Sequence, residues 1–164
     1  MFRRLASIDT DSEFLLEVYT EARAEEMASF GWTKEQLAAY ARMQFDLQQR
    51  AHLDRYPEAE QSVLILDGKR AGQIRISRSP DQMVLVDIGV VSSFRGRGIA
   101  TRVITDLTVE AQSSRLPLRL CVRPESPAKR LYERLGFRST GTDAAGELML
   151  WDGHPLKPTI PDPE

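Results

Sequence analysis

Apolar residues in the first third of the chain recur every three or four positions, which is the spacing of one face of an α-helix. A capping-box pattern at residues 10–13 (Thr-Asp-Ser-Glu) predicts the start of a helix that continues to Gly31. A second capping-box pattern at residues 33–36 (Thr-Lys-Glu-Gln) opens another helix, which ends before Pro57. The first helix carries an apolar stripe of Leu15, Val18 and Ala22. A short strand at residues 2–7 is expected to precede both helices.

The period then shortens to two residues, which is the alternation of β-strands. Residues 62–66 and 71–77 form two such runs, and Asp67-Gly68 between them is a hairpin turn signal. Residues 83–91 are apolar on both faces, which is typical of a strand at the centre of a sheet. We therefore expect a three-stranded meander that ends in a central strand.

The second half of the chain alternates between helices and strands. A helical apolar stripe at residues 100–111 precedes a strand at residues 118–122, and this crossover predicts a parallel neighbour for the central strand. Ser126 and Pro127 have the pattern of the N-cap and first position of a last helix, which Gly136 ends. Closing strands are expected after it.

This order of elements predicts an α+β fold with three layers. We expect a mixed, mostly antiparallel sheet of about six to seven strands, flanked by about four helices. The 164 residues suit a single domain, which we assign to residues 1–151, with an irregular proline-rich tail at residues 152–164.

Composition and charge argue against several classes of function. No stretch is apolar enough to span a membrane, and one cysteine with two histidines leaves little for a disulfide or a metal site, so we expect no metal and a cytoplasmic location. Residues 61–140 are net basic, which suits an anionic ligand, whereas the acidic first third suits a cationic one. The basic residues form no basic helix or aromatic-interleaved patch, so we expect no nucleic-acid binding.

A glycine-containing segment joins the predicted central strand to the next helix. Gly96 and Gly98 allow successive backbone N–H groups to point inward, and the following helix N-terminus adds partial positive charge. Such a loop binds phosphate oxygens, and Arg95 and Arg97 add two permanent positive charges. The third glycine of a dinucleotide-binding fingerprint is absent, and no Gly-Lys pair completes an ATP-binding P-loop.

Two motifs carry a resemblance to a known family. Residues 95–100 (Arg-Gly-Arg-Gly-Ile-Ala) match the acetyl-CoA signature Arg/Gln-x-x-Gly-x-Gly/Ala of the GNAT-type N-acetyltransferases. Residues 127–137 (Pro-Ala-Lys-Arg-Leu-Tyr-Glu-Arg-Leu-Gly-Phe) resemble the Ala-x-x-Leu-Tyr-x-x-x-Gly-Phe segment of the same family. Over residues 1–151, the chain thus resembles bacterial members whose substrate is unassigned.

The resemblance implies an acetyl-CoA site. Its members bind the cofactor through backbone groups at the end of the central strand and in the loop, which here are Val90, Val91, Arg95, Gly96, Arg97, Gly98, Ile99, Ala100 and Thr101. Ser126 stands where many members have an asparagine that contacts the pantetheine arm or a water. A bulge near Val90 is implied as well, with a free N–H that polarises the thioester carbonyl. Cys121 is expected to be a buried side chain near the pantetheine arm.

The catalytic candidates are a tyrosine and two carboxylates. Tyr132 matches the family tyrosine that protonates the leaving thiolate. Where some members carry a glutamate base, this chain has Val84 or Cys121. Two substitutes remain open as the base. One is Asp87, a carboxylate inside an apolar strand, and the other is Glu26, with Glu25 behind it, which a continuous first helix places on its apolar side.

Two functional hypotheses follow from the resemblance. The first is an acetyl-CoA-dependent N-acetyltransferase that transfers the acetyl group directly to a primary amine of a small molecule or protein, without an acyl-enzyme. The second is a non-catalytic acyl-CoA-binding module that senses CoA. Family members often dimerise, so the resemblance also raises the expectation of a homodimer.

Overall fold

The strands follow chain order across the sheet until the last two, which exchange places. The computed structural model describes residues 1–6 and 11–153. The strands are β1 (Phe2–Ala6), β2 (Glu60–Leu66), β3 (Lys69–Arg78), β4 (Met83–Val90), β5 (Leu118–Val122), β6 (Arg138–Thr142) and β7 (Glu147–Trp151). The α-helices are α1 (Ser12–Ala22), α2 (Ala24–Ala28), α3 (Lys34–Arg55), α4 (Ile99–Ser114) and α5 (Ala128–Arg134). The seven-stranded sheet has the order β1-β2-β3-β4-β5-β7-β6, which confirms the α+β fold and the central position of β4 beside β5.

The helix predicted to continue to Gly31 is divided in two at Arg23. This residue has a non-helical backbone conformation (φ −111°, ψ 8°), so α1 ends before it and α2 begins after it. Its N–H donates to the carbonyl oxygen of Thr20 at 3.1 Å, which tightens the last turn of α1. Its guanidinium carbon lies 4.6 Å from the ring centre of Tyr19. The prediction of one continuous helix is therefore wrong.

The next helix, α3, begins at the predicted capping box. The backbone N–H of Gln36 donates to Oγ1 of Thr33 at 3.2 Å, and the backbone N–H of Thr33 donates to Oε1 of Gln36 at 2.9 Å. The helix ends at Arg55, shortly before Pro57, as predicted. The first capping box begins at Thr10, which lies outside the described residues, as does the tail after Gly153.

The chain divides into two compact units. Of the described residues, the first unit contains 1–6, 11–78 and 85–100, and the second contains 79–84 and 101–153. In the first unit β1, β2 and β3 pair antiparallel, and the turn between β2 and β3 has positive φ at Asp67 (51°) and Gly68 (78°). This is the geometry that an Asp-Gly hairpin turn requires. A core cluster of this unit consists of Phe14, Val18, Val63, Ile65 and Val91.

Strands β3 and β4 approach each other closely at Gly72 and Gly89. A Cβ atom on Gly72 would lie 2.2 Å from the carbonyl oxygen of Gly89, and a Cβ atom on Gly89 would lie 2.5 Å from a methyl group of Val18. Both positions therefore exclude any side chain. The absence of side chains lets α1 pack directly on the end of β4, next to the segment that leads into the glycine-containing loop.

In the second unit, β5 alternates between a buried and an exposed face. Leu118, Leu120 and Val122 are buried, whereas Arg119 and Cys121 are exposed. The prediction that Cys121 is buried is wrong, because strand alternation places it on the exposed face of β5. There its sulfur lies 3.9 Å from Oδ1 of Asp143. The apolar stripe of α4 is buried as predicted, through Val103, Ile104, Leu107 and Ala111.

Candidate functional site

The chain between β4 and α4 forms an open turn with two left-handed glycines. After a single 3₁₀ turn at Ser92–Phe94, Gly96 and Gly98 have φ values of 77° and 75°, and α4 begins at Ile99. Among the described residues, no heavy atom lies within 4 Å of the position that a Cβ would occupy on either glycine. The backbone conformation explains the need for glycine, and the open space leaves room for a ligand against the main chain.

Two hydrogen bonds hold this loop at its start. The backbone N–H of Ser92 donates to Oε2 of Glu21, at the end of α1, at 2.6 Å. The Nε–H of Arg95 donates to the carbonyl oxygen of Val90 at 3.1 Å. The loop is therefore tied both to α1 and to the last residue of β4, so its backbone is positioned before any ligand binds.

The electrostatics of the loop favour an anion. The side chains of Arg95 and Arg97 are exposed, and the guanidinium carbon of Arg97 lies 5.0 Å from the ring centre of Phe94. The first N–H groups of α4, a helix of 16 residues, have no partner within the helix and form the positive end of its dipole. The open glycine backbone, the helix N-terminus and the two arginines together fit a phosphate or diphosphate group.

Ser126 and Tyr132 lie at the start and within α5, in the second unit. The backbone N–H of Ala128 donates to Oγ of Ser126 at 3.3 Å, so the serine hydroxyl satisfies one N–H group of the first turn. The helix begins at Ala128, one residue later than predicted. Tyr132 is only 6% exposed, and its ring centre lies 5.7 Å from that of Phe137. Its ring is thus a packing group, and any chemistry resides in its hydroxyl group.

Asp87 is half-buried in β4, three positions before Val90. Its Oδ2 accepts a hydrogen bond from Nε2 of Gln73 at 2.8 Å. This carboxylate also interacts electrostatically with the positive charge of Arg75, which lies on β3. The buried carboxylate predicted from the sequence is therefore held in a defined orientation, on the strand that leads into the loop.

Asp87 belongs to a polar cluster between α3 and the sheet. One nitrogen of Arg75, Nη2, donates to Oε1 of Gln49 and to Oε1 of Gln61, each at 2.8 Å. Nε2 of Gln61 donates to Oε1 of Gln73 at 3.3 Å, which continues the chain of hydrogen bonds to Asp87. We use the name polar cluster for Gln49, His52, Gln61, Gln73, Arg75 and Asp87.

His52 is a titratable member of this cluster that was not identified from the sequence. Burial lowers its pKa below the ordinary value of 6.5, the carboxylate of Asp87 raises it, and the guanidinium of Arg75 lowers it. A signal was present in the sequence, because Gln49 and His52 lie three residues apart on α3. Polar side chains also recur at alternate positions of β3, at Gln73 and Arg75.

Glu26 lies on α2 rather than on a continuation of α1, and it is exposed. One of its carboxylate oxygens is 3.5 Å from Nη1 of Arg23, so its charge is partly compensated. Glu26 also lines a cavity of about 390 Å³ that includes Tyr19, Tyr40 and Gln48. It therefore contacts a cavity, but it does not belong to the polar cluster that contains Asp87.

Two features are absent from residues 1–6 and 11–153. Within these ranges, no group of three or more His, Cys, Asp or Glu side chains is arranged to hold a metal ion. No helix in the same ranges combines the length and the apolar character needed to cross a bilayer.

Solved structures share the fold of this chain. One is the PaiA N-acetyltransferase of Thermoplasma acidophilum in complex with coenzyme A (TM-score 0.68, 16% identity, 93% of this chain and 99% of that chain covered). Another is the histone acetyltransferase HPA2 and related acetyltransferase of Corynebacterium glutamicum (TM-score 0.65, 22% identity, 97% and 99% covered). A third is a GNAT family acetyltransferase of Elizabethkingia anophelis with acetyl-CoA bound (TM-score 0.56, 14% identity, 91% and 95% covered).

At the level of sequence, the chain matches a family model. No curated protein matches the chain. Residues 15–137 match the model of the Acetyltransferase (GNAT) family, and this range includes the glycine-containing loop, the polar cluster and α5. Because this match covers most of the sequence, the chain belongs to the GNAT family of acetyltransferases.

Proposed function

We propose that this protein transfers the acetyl group of acetyl-CoA directly to a primary amine of a small molecule or protein, in a ternary complex without an acyl-enzyme. The observation that carries the proposal is the loop between β4 and α4. Its two left-handed glycines face open space and are followed by the N-terminus of a long helix. This arrangement suits the diphosphate of CoA, and membership of the family supports the reaction.

In this proposal the loop supplies most of the cofactor contacts. The backbone amides of residues 95–101 hold the diphosphate, and the charges of Arg95 and Arg97 strengthen the interaction. The N–H of Val91 already donates to the carbonyl oxygen of Ala71 at 2.9 Å, so the proposal assigns the contact beside the thioester to the backbone of Val90. Ser126 offers a hydroxyl to the pantetheine arm. Acetyl-CoA supplies a thioester whose carbonyl carbon is open to attack by an uncharged amine.

Proton transfer is assigned to side chains of the protein. A free alkylammonium has a pKa of about 10.4, so at neutral pH only about one molecule in a thousand is uncharged. We assign the removal of this proton to Asp87, whose carboxylate is half-buried in β4 and held by Gln73. Glu26 is the alternative base, because it lines the cavity beside α2. Tyr132 is the acid that protonates the leaving sulfur.

The acceptor, the location and the assembly are finer parts of the same proposal. The acidic first third of the sequence favours a cationic acceptor. A cytoplasmic location would suit the single cysteine of the sequence and the supply of acetyl-CoA. A homodimer remains an expectation that comes from the family resemblance alone.

The loop assignment is tested by Gly98→Glu. Its side chain enters the open space beside the loop and adds a negative charge, so acetyl-CoA binding, measured by calorimetry, should be lost. Gly31→Glu is the matched control, since Gly31 also has a positive φ (69°) and open space around it, at a position outside the loop. Gly31→Glu carries the same backbone strain and should bind normally. Normal binding by folded Gly98→Glu would contradict the assignment.

A CoA-sensing module is the second candidate function. The observation that favours it is the absence of a carboxylate at Val84 and at Cys121, where some members have their base. A thiol-release assay with a panel of primary amines separates the two functions. An acetyltransferase releases CoA with at least one amine, whereas a sensor binds acetyl-CoA and releases none above the hydrolysis background.

A further inference from the structure

The polar cluster contains two buried nitrogen atoms that its hydrogen bonds do not satisfy. Nε of Arg75 and Nδ1 of His52 are both inaccessible to solvent, and neither has a hydrogen-bond partner among the described residues. Arg75 is only 6% exposed as a whole. A buried polar group without a partner is unfavourable, because it has lost its hydrogen bonds to water and gained none in the protein. Unsatisfied groups of this kind often mark a functional site, because packing alone would favour apolar residues there.

The charges around His52 come from two neighbouring strands. Arg75 on β3 contributes a positive charge and Asp87 on β4 a negative one, whereas Gln61 on β2 and Gln49 on α3 are uncharged. Burial lowers the pKa of His52 more than Asp87 raises it, so the imidazole is uncharged at neutral pH. The negative charge of Asp87 acts in the opposite direction and stabilises a proton on the imidazole.

The cluster is also close along the chain to the proposed reaction site. Asp87 lies in β4 only three positions before Val90, and the glycine-containing loop follows directly. The other end of the cluster lies on α3, where Gln49 and His52 are one helical turn apart. The cluster therefore links the strand that leads to the loop with a helix on the surface of the first unit.

We propose that His52 is a further residue of the proton-transfer machinery: its unpartnered Nδ1 receives, through a water molecule, the proton that Asp87 takes from the acceptor ammonium, and the imidazole passes it to solvent. The inference rests on the proposed N-acetyltransfer. The ammonium loses one proton to Asp87, its nitrogen forms the new C–N bond, and the C–S bond breaks. The nitrogen then loses a second proton, which restores the hydroxyl group of Tyr132 after that residue has protonated the thiolate sulfur. Each turnover thus leaves one proton with Asp87 and His52.

The kinetic test compares His52→Gln, Asp87→Asn and the double variant, with Asp81→Asn as the matched control in the exposed β3–β4 turn. At neutral pH, kcat/KM should fall about 10²–10⁴-fold in Asp87→Asn. In His52→Gln it should fall at least about tenfold, with recovery at alkaline pH and an unchanged KM for acetyl-CoA. The double variant should be no slower than the slower single variant, because residues that act as a unit are not additive. Asp81→Asn should behave as the wild type.

A second measurement does not depend on activity. NMR titration of the His52 imidazole in the wild type should give a pKa below 6.5, and Asp87→Asn should lower it further because the raising effect of the carboxylate is lost. An unchanged titration in Asp87→Asn would overturn the inference. It is equally overturned if His52→Gln keeps the wild-type pH profile.

The two levels of the proposal fail differently. If the wild type binds acetyl-CoA but releases CoA with no amine, the proposed function fails, and the role of His52 fails with it. If the wild type acetylates an amine and His52→Gln does so equally well at every pH, only the role of His52 fails. If His52→Gln does not fold, the NMR titration of the wild type and Asp87→Asn still decides whether the two groups interact.

Discussion

Under the proposed function, Tyr132 has two roles, one in packing and one in proton transfer. Its ring is buried against Phe137, so the backbone and the aromatic contact fix the position of the hydroxyl group. A general acid must be held within hydrogen-bond distance of the atom that it protonates. Removing the hydroxyl group while keeping the ring therefore separates the two roles.

Tyr132→Phe should lower kcat about 10²–10⁴-fold, which is the usual contribution of a general acid, while the affinity for acetyl-CoA changes little. Steady-state kinetics with the best amine and calorimetry with acetyl-CoA measure the two effects. Tyr56→Phe is the control, because Tyr56 follows the end of α3, where its ring lies 5.4 Å from the guanidinium carbon of Arg55. Unchanged turnover in Tyr132→Phe would show that water protonates the thiolate.

The connection between α1 and the loop is the main feature at the scale of elements. Glu21, in the last turn of α1, accepts a hydrogen bond from the backbone N–H of Ser92 at 2.6 Å. The carboxylate holds the start of the loop, but its negative charge opposes the binding of an anion nearby. The two effects act in opposite directions and call for two different substitutions.

Glu21→Gln keeps an oxygen acceptor and removes the charge, so it should bind acetyl-CoA at least as tightly as the wild type. Glu21→Ala loses the hydrogen bond as well, and its Kd should exceed that of Glu21→Gln about twofold to tenfold, since a hydrogen bond contributes about 0.5–1.5 kcal/mol. Glu17→Gln, one turn earlier and exposed, is the control for charge alone. Equal affinities of Glu21→Ala and Glu21→Gln would show that the hydrogen bond does not order the loop.

At the scale of the whole molecule, the sequence predicted the turns, whose conformation depends on a few residues that are adjacent in the chain. The hairpin at Asp67-Gly68 and the turn at Gly96 and Gly98 were predictable because positive φ values demand glycine or aspartate there. The break in the helix at Arg23 was not predictable, because arginine is a good helix former. Its non-helical conformation accompanies a contact between its side chain and Tyr19.

The polar cluster could be predicted from the sequence only in part. Whether a polar residue of a helix or strand is buried depends on which elements pack together, and periodicity alone does not reveal it. Asp87 was recognisable as a carboxylate within an apolar strand. His52 was not, because its burial becomes evident only when α3 lies over β3 and β4.

The lowered pKa of His52 also makes the stability of the protein depend on pH. Because burial lowers the pKa of His52 in the folded state, the unfolded chain binds more protons below about pH 6.5. Its contribution to stability is therefore lost as the pH falls through that value. Urea unfolding at pH 7.5 and 5.5 should show a smaller loss of stability for His52→Gln than for the wild type. An equal loss in both proteins would contradict a buried, uncharged imidazole.

The exposure of Cys121 has a practical consequence for measuring turnover. It carries the only thiol of the sequence, and that thiol is exposed on β5. An aromatic disulfide reagent that detects released CoA will therefore also react with the protein, up to one equivalent per chain. Cys121→Ser removes this background. In the unaltered chain the same thiol offers a unique attachment point for a fluorophore or spin label.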